Sequence, residues 1–497
     1  MKTLKITLKQ HTPLIHFQHT EFGATLRASE VKPKLDRFII EKLGGGSYEN
    51  VKGDVKKKYP QLFIPKDDVF ALDYKLAIHP NGKPLPIKIR TAKKGNLELD
   101  KLETFPLVLS NMKKNLKESI NFVQYETVDI TLITRSDLLY LTLKDSVECF
   151  FASTNFGQRQ NKGFGSFTVL YIQEPGKEKV CKEWTDKSAN ELMPHNTQYF
   201  SYKNVHDEKD KYSINKEVFE VIDYYWKLLK SGINYTKRYV KLNDDKRTVT
   251  IIRKKGETYK KAFLWKYLKD NGVTWEKRKI KEGLLENNGR NQFRILTSAK
   301  AEGDSEQKEN NLPYFFARAH LGCPISGITY KVMLGKPRMN KSGELERDRN
   351  GNPIELSRNY DIAIESRING KRNDDISRIP SPIIFKPIIC KNIVKVYILF
   401  DNKVINALHE DKNTNRTFSF SIKKKENDCK IYLPIDIPLF CKKDKGSKDV
   451  YLINYQDLIE KFHEEYKTGL FPVNYKNEPI LIKSCDNKVE LHSTTKK

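Results

Sequence analysis

Residues 1–175 switch repeatedly between two hydrophobic periods, and that alternation restricts the fold more than any other feature of the chain. In "TLKITLKQHTPLIHF", Leu4, Ile6 and Leu8 share one face of a strand that Pro13 ends. In "SEVKPKLDRFIIEKLGGGS", Leu35, Phe38, Ile39 and Leu43 recur at helical spacing. Pro33 is tolerated in the first turn, and Gly44, Gly45 and Gly46 stop the helix. "YKLAIHPNGKPLPIKIR" reads as two short strands about an Asn81-Gly82 turn, and "TVDITLITR" as another strand. "SDLLYLTLKDSVECFFAS" carries Leu138, Leu139, Val147, Phe150 and Phe151 and is expected to be a helix. A glycine-rich loop and the strand "SFTVLYI" follow. The order β-α-β-β-α-loop-β suits a ferredoxin-like α/β sandwich, the class used by RNA-recognition domains.

The rest of the chain divides by composition. Residues 176–310 are helical and basic. "NKEVFEVIDYYWKLLKSG" gathers Val218, Phe219, Ile222, Tyr225, Trp226 and Leu229 on one face, and "GETYKKAFLWKYLKDNG" is a second helix. Basic runs such as "KRTVTIIRKKG" and "WEKRKIKEG" surround them, and "AKAEGDSEQKENN" has no core pattern and reads as a loop or boundary. Residues 311–497 return to strands: "ISGITYKVML", "SPIIFKPIIC", "NIVKVYILF" and "CKIYLPIDI", with a last helix in "NYQDLIEKFHEEYK". Between the first two strands, "GKPRMNKSGELERDRNGNPIELSRN" is either a protruding hairpin or disordered. The expected architecture is α+β: two ferredoxin-like, RRM-like sandwiches at 1–175 and 311–497, separated by a helical basic insertion at 176–310.

The charge narrows the partner. The 497 residues hold 90 Lys+Arg against 63 Asp+Glu, a net +27, which favours a phosphate backbone as the ligand. Lys and Asn recur in every segment, so part of the excess is compositional. There is no apolar run of transmembrane length and no signal peptide, so a membrane is not an expected partner and a cytoplasmic location is. The seven cysteines are odd in number and widely spaced, with no C-x-x-C pair. That argues against a disulfide framework and a zinc ribbon. The ten histidines include no H-E-x-x-H, so neither a metal nor another cofactor is expected.

The densest functional signal is "NFGQRQNKGFGSF", Asn155 to Phe167. Its spacing fits neither G-x-x-x-x-G-K-[ST] nor G-x-G-x-x-G, which removes the common nucleotide-binding loops. Glycine pairs can present backbone N–H groups to phosphate oxygens, and Arg159 and Lys162 would add charge-assisted contacts. Phe156 and Phe164 read as core anchors in preference to base-stacking rings. From these residues alone, a plain tight turn remains as good an account.

Together with other blocks, the loop resembles the RAMP superfamily, the RNA-binding subunits of CRISPR effector complexes. "GATLRASEVKPKLDRF" is similar to that family's N-terminal element, and "FGQRQNKGFGSF" to its glycine-rich loop around a G-F-G core. "ARAHLGCPISG" and "SRIPSPIIFKPI" resemble two further blocks, in the order found in the large head RAMP subunit of the type III-B Cmr complex. The resemblance implies a guide-RNA-binding subunit of an antiviral ribonucleoprotein. It would hold the RNA near its 3′ end beside other RAMP subunits, with target RNA as a further candidate partner. The RNA-binding residues it implies are Arg27, Lys32 and Lys34, then Gly157, Arg159, Lys162, Gly163 and Gly165. Arg318 and Arg378 come second, and a structural ion pair explains either arginine equally well.

The alternative is a metal-independent endoribonuclease that processes guide precursors. Such RAMP nucleases use a histidine near the start, and His11, His16 and His19 cluster there. A general base must reach a 2′-hydroxyl. No two of these histidines converge along a strand, and nothing marks Asp36 or Asp73 as a metal ligand. No catalytic residue is therefore assigned.

Overall fold

The computed structural model describes all residues except 16–24, 90–119, 183–185, 205, 208–209, 235–237, 243–248, 254–258, 275, 288–311, 326–329, 338–339, 341, 343, 345, 348–354, 424–432, 443–448, 471–487 and 495–497. His16, His19, the segment "AKAEGDSEQKENN" and the Asn350-Gly351 turn lie outside the described residues. The chain is mixed α+β with antiparallel sheets and divides into two compact units. One contains Met1–Tyr224, Ile383–Leu399 and His463–Lys497; the other contains Tyr225–Pro382 and Phe400–Phe462.

The first unit begins with β1 (Lys2–Gln10), α1 (Ala28–Gly44), α2 (Tyr48–Lys58) and β2 (Tyr74–Asn81). After β3 (Leu85–Ile89) and β4 (Ile120–Gln124) come β5 (Thr127–Thr134), α3 (Asp137–Ser153) and β6 (Phe167–Gln173). The strands order as β2-β5-β1-β6, with β7 (Val180–Cys181) at the far edge. β1 lies antiparallel between β5 and β6, in a register that pairs Leu4 with Leu132 and Ile6 with Ile130. Period-two alternation then puts Leu4, Ile6, Leu8, Val128, Ile130 and Leu132 on one buried face. Val31, Leu35 and Ile39 of α1 and Leu143, Val147 and Phe150 of α3 complete that core. The Ser136 hydroxyl caps α3 by accepting the Leu139 N–H at 3.2 Å.

The Asn81-Gly82 turn does not close a hairpin. β2 pairs with β5, whereas β3 pairs with β4, so the turn hands the chain from one sheet to another.

A second sheet in this unit combines distant segments. It uses β8 (Gln198–Lys203), β9 (Ile383–Cys390), β10 (Ile393–Phe400) and β11 (Glu490–Ser493) in the order β9-β10-β8-β11. β8 is followed along the chain by α4 (Lys211–Lys230), and β11 is preceded by α5 (Tyr455–Glu465). β8 pairs antiparallel with both β10 and β11, joining residues on the two sides of the sequence boundary at 310. Hydrophobic period identified β9 and β10 but neither β8 nor β11, and it carries no information about which strands pair.

The other unit is built on a sheet ordered Tyr330–Pro337, Glu355–Ile368, Arg416–Ile422, Ile435–Pro438. The first two strands pair antiparallel, and the ends of the polar "GKPRMNKSGELERDRNGNPIELSRN" belong to them, Gly335 opposite Ser357 and Pro337 opposite Glu355. Ile362, Phe418, Phe420 and Ile437 pack with Phe316 and with Ile280 and Leu284 of the helix Glu276–Asn287. Among the described residues, no helix is long and apolar enough to cross a membrane.

Candidate functional site

The glycine loop connects α3 to β6, and its glycines are filled by the protein's own backbone. Gly157, Gly163 and Gly165 all have positive φ (78°, 91° and 66°), which glycine adopts without the Cβ clash that other residues meet. A Cβ on Gly157 would lie 2.6 Å from the Ile15 carbonyl oxygen, and one on Gly163 2.9 Å from Pro387. On Gly165 it would lie 2.0 Å from the Phe156 carbonyl oxygen. The glycines thus permit a close internal fold, and all three are buried. Gly165 N–H donates to the Pro13 carbonyl at 2.9 Å, and Thr12 Oγ1 donates to the Gly163 carbonyl at 2.7 Å.

Both phenylalanines anchor the loop. Phe156 packs edge-on against Phe150 and Phe167, and Phe164 stacks on Phe219 with centroids 4.0 Å apart. Neither ring is exposed, which leaves no face for a base.

The first turns of α1 clamp this loop. Glu30 Oε1 accepts the Gly157 N–H at 2.9 Å and a proton of Lys34 Nζ at 2.8 Å. Lys34 also donates to the Asn155 carbonyl at 3.1 Å and to Gln160 Oε1 at 2.9 Å, and lies 4.8 Å from the Phe156 ring centroid. From the other side, Asn155 Nδ2 donates to the carbonyls of Gln160 and Phe385, at 2.7 and 2.8 Å. Arg27, exposed at the N-cap of α1, therefore sits one helical turn from the clamp. Arg159 has left-handed backbone (φ 56°), and both it and Lys162 are half-buried on the short turn that Glu30 and Lys34 hold. Of the four cations, Lys34 is paired with Glu30, Arg159 and Lys162 lie on the turn that Glu30 and Lys34 contact, and Arg27 lies three residues before Glu30 on the chain.

Lys32 belongs elsewhere. Its ammonium lies 3.0 Å from Asp36, donates to the Leu72 carbonyl at 2.8 Å and stands 3.9 Å from the Tyr74 ring centroid. Asp36 also accepts the Leu72 N–H at 3.2 Å. Burial pushes its carboxyl above the usual range in spite of the Lys32 charge, so this pair ties α1 to β2 and adds little stability. Arg318 and Arg378 lie in the other unit. Arg318 is ion-paired with the fully buried Glu276, and Arg378 is exposed on the two-residue strand Arg378–Ile379.

His11 is a satisfied core histidine, 2% exposed. Its Nδ1 accepts the Ile389 N–H at 3.1 Å, so Nε2 carries the proton and donates to Thr168 Oγ1 at 2.7 Å. Burial, then the charge of Lys9, holds it well below the ordinary histidine range. Neither ring nitrogen is open to a 2′-hydroxyl. No group of three His, Cys, Asp or Glu among the described residues is arranged to hold a metal.

Three residues that position the loop escaped the sequence reading: Glu30, Asn155 and Lys386. Glu30 and Lys34 carried a readable signal, an i,i+4 acid–base pair in the first turns of a helix. Lys386 carried another, as a lone cation inside the apolar run "SPIIFKPIIC". It is fully buried, donating to the Thr154 carbonyl at the end of α3 (2.8 Å) and to the Phe167 carbonyl (3.0 Å). Burial draws its ammonium well below the lysine range.

Two family models match the sequence: the Cmr1 N-terminal domain over residues 1–233 and the Cmr1 C-terminal domain over residues 259–473. No curated protein matches it. Among solved structures, it is similar at 12% identity to a chain of the type III-B Cmr-beta complex bound to cognate target RNA. That match covers 35% of this chain and 60% of that one, less than two thirds of its length, with a TM-score of 0.24. Apo Cmr1 from Pyrococcus furiosus is also 12% identical, over 46% of this chain and 75% of that one, with a TM-score of 0.29. A chain of Cmr-beta bound to cognate target RNA and AMPPnP, in the presence of ssDNA, is 13% identical over 82% of this chain and 98% of that one, with a TM-score of 0.25.

Proposed function

Because the chain belongs to the Cmr1 family of RAMP subunits of the type III-B Cmr complex, we propose that it holds that complex's guide RNA near the 3′ end and contacts neighbouring RAMP subunits. The supporting observation is the clamp of Glu30 and Lys34 on the glycine loop, which fixes the turn that carries Arg159 and Lys162 against the helix that Arg27 begins. Cations on a rigid turn next to a helix N-terminus suit the phosphates of a single strand. The glycines contribute by folding the turn. Lys32 contributes through Asp36 and Tyr74 and does not itself face the RNA. The role is one of binding, with no catalytic step.

The strand orders support a matching architecture. Both β2-β5-β1-β6 and β9-β10-β8-β11 follow strand–helix–strand–strand–helix–strand connectivity, the pattern of two ferredoxin-like sandwiches. In this reading the insertions fall at 231–382 and 401–454, inside the second sandwich, in place of a single one at 176–310.

The test is single-stranded RNA binding by the full chain across a salt series. The triple variant Arg27→Ala, Arg159→Ala, Lys162→Ala should bind more weakly and lower the log–log salt slope by roughly 0.7 for each phosphate that is no longer neutralised. Lys32→Ala should keep the slope. Wild-type affinity that stays flat from low to high salt would overturn the reading.

A further inference from the structure

The unit containing Tyr225–Pro382 holds a second concentration of positive charge, away from the glycine loop in sequence and built on different elements. Its centre is Lys230, in the last turn of α4. The ammonium donates to the carbonyl oxygens of Gly322 and, at 3.4 Å, Leu321, and stands 5.5 Å from the Trp226 ring centroid. No carboxylate is paired with it among the described residues. Burial lowers its pKa to about 8; the Cys323 thiol and Glu276 oppose that shift, whereas Arg318 and Arg378 add to it.

The turn under Lys230 is held rigidly. Gly322 has φ +87°, and a Cβ there would lie 2.8 Å from the Ser381 nitrogen, so this backbone rests directly on that of Ser381. One residue on, Cys323–Pro324 pairs antiparallel with Arg378–Ile379, which sets Arg378 opposite Pro324 with its side chain exposed. Arg318, on the short helix Ala317–His320, holds the buried Glu276. Three cations thus surround one turn with one carboxylate between them. Among the described residues this half-buried ammonium has carbonyl oxygens for partners and no carboxylate at ion-pair distance, so burial penalises its charge and Glu276, already paired with Arg318, offsets that only in part.

We propose that Lys230, Arg318 and Arg378 form a second phosphate-binding site that takes a phosphodiester of the RNA. This rests on the RNA-holding reading above and adds a point of attachment in the other unit. An oxyanion against the third N–H of Lys230 and the exposed guanidinium of Arg378 supplies the missing counter-charge. Burial of Lys230 makes the interaction sensitive to pH, since an unliganded lysine titrating near pH 8 carries less charge as the pH rises past that point.

The experiment measures labelled single-stranded RNA binding to the full chain between about pH 7 and pH 9 for wild type, Lys230→Arg and Lys230→Met, with inorganic phosphate as competitor. Wild-type affinity should fall by about fivefold over that range, Lys230→Arg should bind with a flat profile, and Lys230→Met should lose about fivefold at neutral pH. A Lys230→Arg profile as steep as wild type, or a Lys230→Met affinity and salt slope equal to wild type, would overturn the site while leaving the glycine-loop reading intact. Phosphate binding that depends on Lys230 without any change in RNA affinity would also overturn it, assigning the pocket to the free anion. Absence of RNA binding by the wild-type chain would overturn both readings together.

Discussion

Glu30 Oε1 accepts the backbone N–H of Gly157 at 2.9 Å, a bond between the first turn of a helix and a loop 127 residues further along the chain. The same oxygen holds Lys34 at 2.8 Å, and Lys34 in turn reaches Asn155 and Gln160. One carboxylate thereby sets both the direction of the loop and the place of the cations on it.

Replacing Glu30 with alanine should therefore act in two ways. The buried Gly157 N–H loses a charged acceptor, a change worth about 1.5–3 kcal/mol. Lys34 is released from its carboxylate while keeping its charge, so the net positive charge near the loop rises. If charge alone governed RNA binding, affinity would increase; if the ordering of Arg159 and Lys162 matters, it should fall. We expect lower stability in urea melts and weaker RNA binding together. RNA binding that strengthens as stability falls would show that loop order is unimportant.

The glycines separate close approach from backbone strain. Gly165→Ala would place a Cβ 2.0 Å from the Phe156 carbonyl oxygen, on a backbone with φ +66°. Neither backbone can yield, because Phe156 N–H also donates to the Gly165 carbonyl at 3.0 Å. Gly82 has a similar φ of +77° but open space around it, so Gly82→Ala should cost only about 1–2 kcal/mol of left-handed strain. Gly165→Ala should leave little folded protein. Comparable urea midpoints for the two variants would remove the close-approach argument.

The sequence was most informative where an element's own period decided its structure. The strand from Lys2, the helix through Phe150 and the helix through Trp226 were all legible because their apolar residues line one face. Partnership was less legible. Nothing in "QYFSYK" shows that it lies between "NIVKVYILF" and "ELHS", since pairing depends on register between segments far apart in the chain. In the candidate site, Arg159 and Lys162 were visible as cations on a glycine turn. Lys32 and Lys34 looked equivalent to each other and are not: Lys32 meets Asp36 and Tyr74 whereas Lys34 meets Glu30 and Gln160, partners that only the fold supplies.

A further consequence concerns α4, where Glu217 is buried at 3% exposure and, among the described residues, no well-formed hydrogen bond reaches either carboxylate oxygen. Burial, followed by the like charge of Glu220, raises its pKa from 4.5 to about 8; the nearby Tyr202 hydroxyl pulls the other way, and His206 Nε2 stands 3.4 Å from Oε2. Between those two values the folded protein keeps the proton that the unfolded chain releases. Below the lower value both states are protonated and the site costs nothing. As the pH rises towards 8 the unfolded state gains relative to the folded one, and stability falls. Glu217→Gln is uncharged in both states, so it should be more stable than wild type at pH 8 by on the order of 4 kcal/mol and nearly equal to it at about pH 4.5. Urea melts of both proteins at the two pH values read this directly. Parallel stability curves, with the same loss from low to high pH in wild type and variant, would show that Glu217 is solvated enough to ionise in the folded protein.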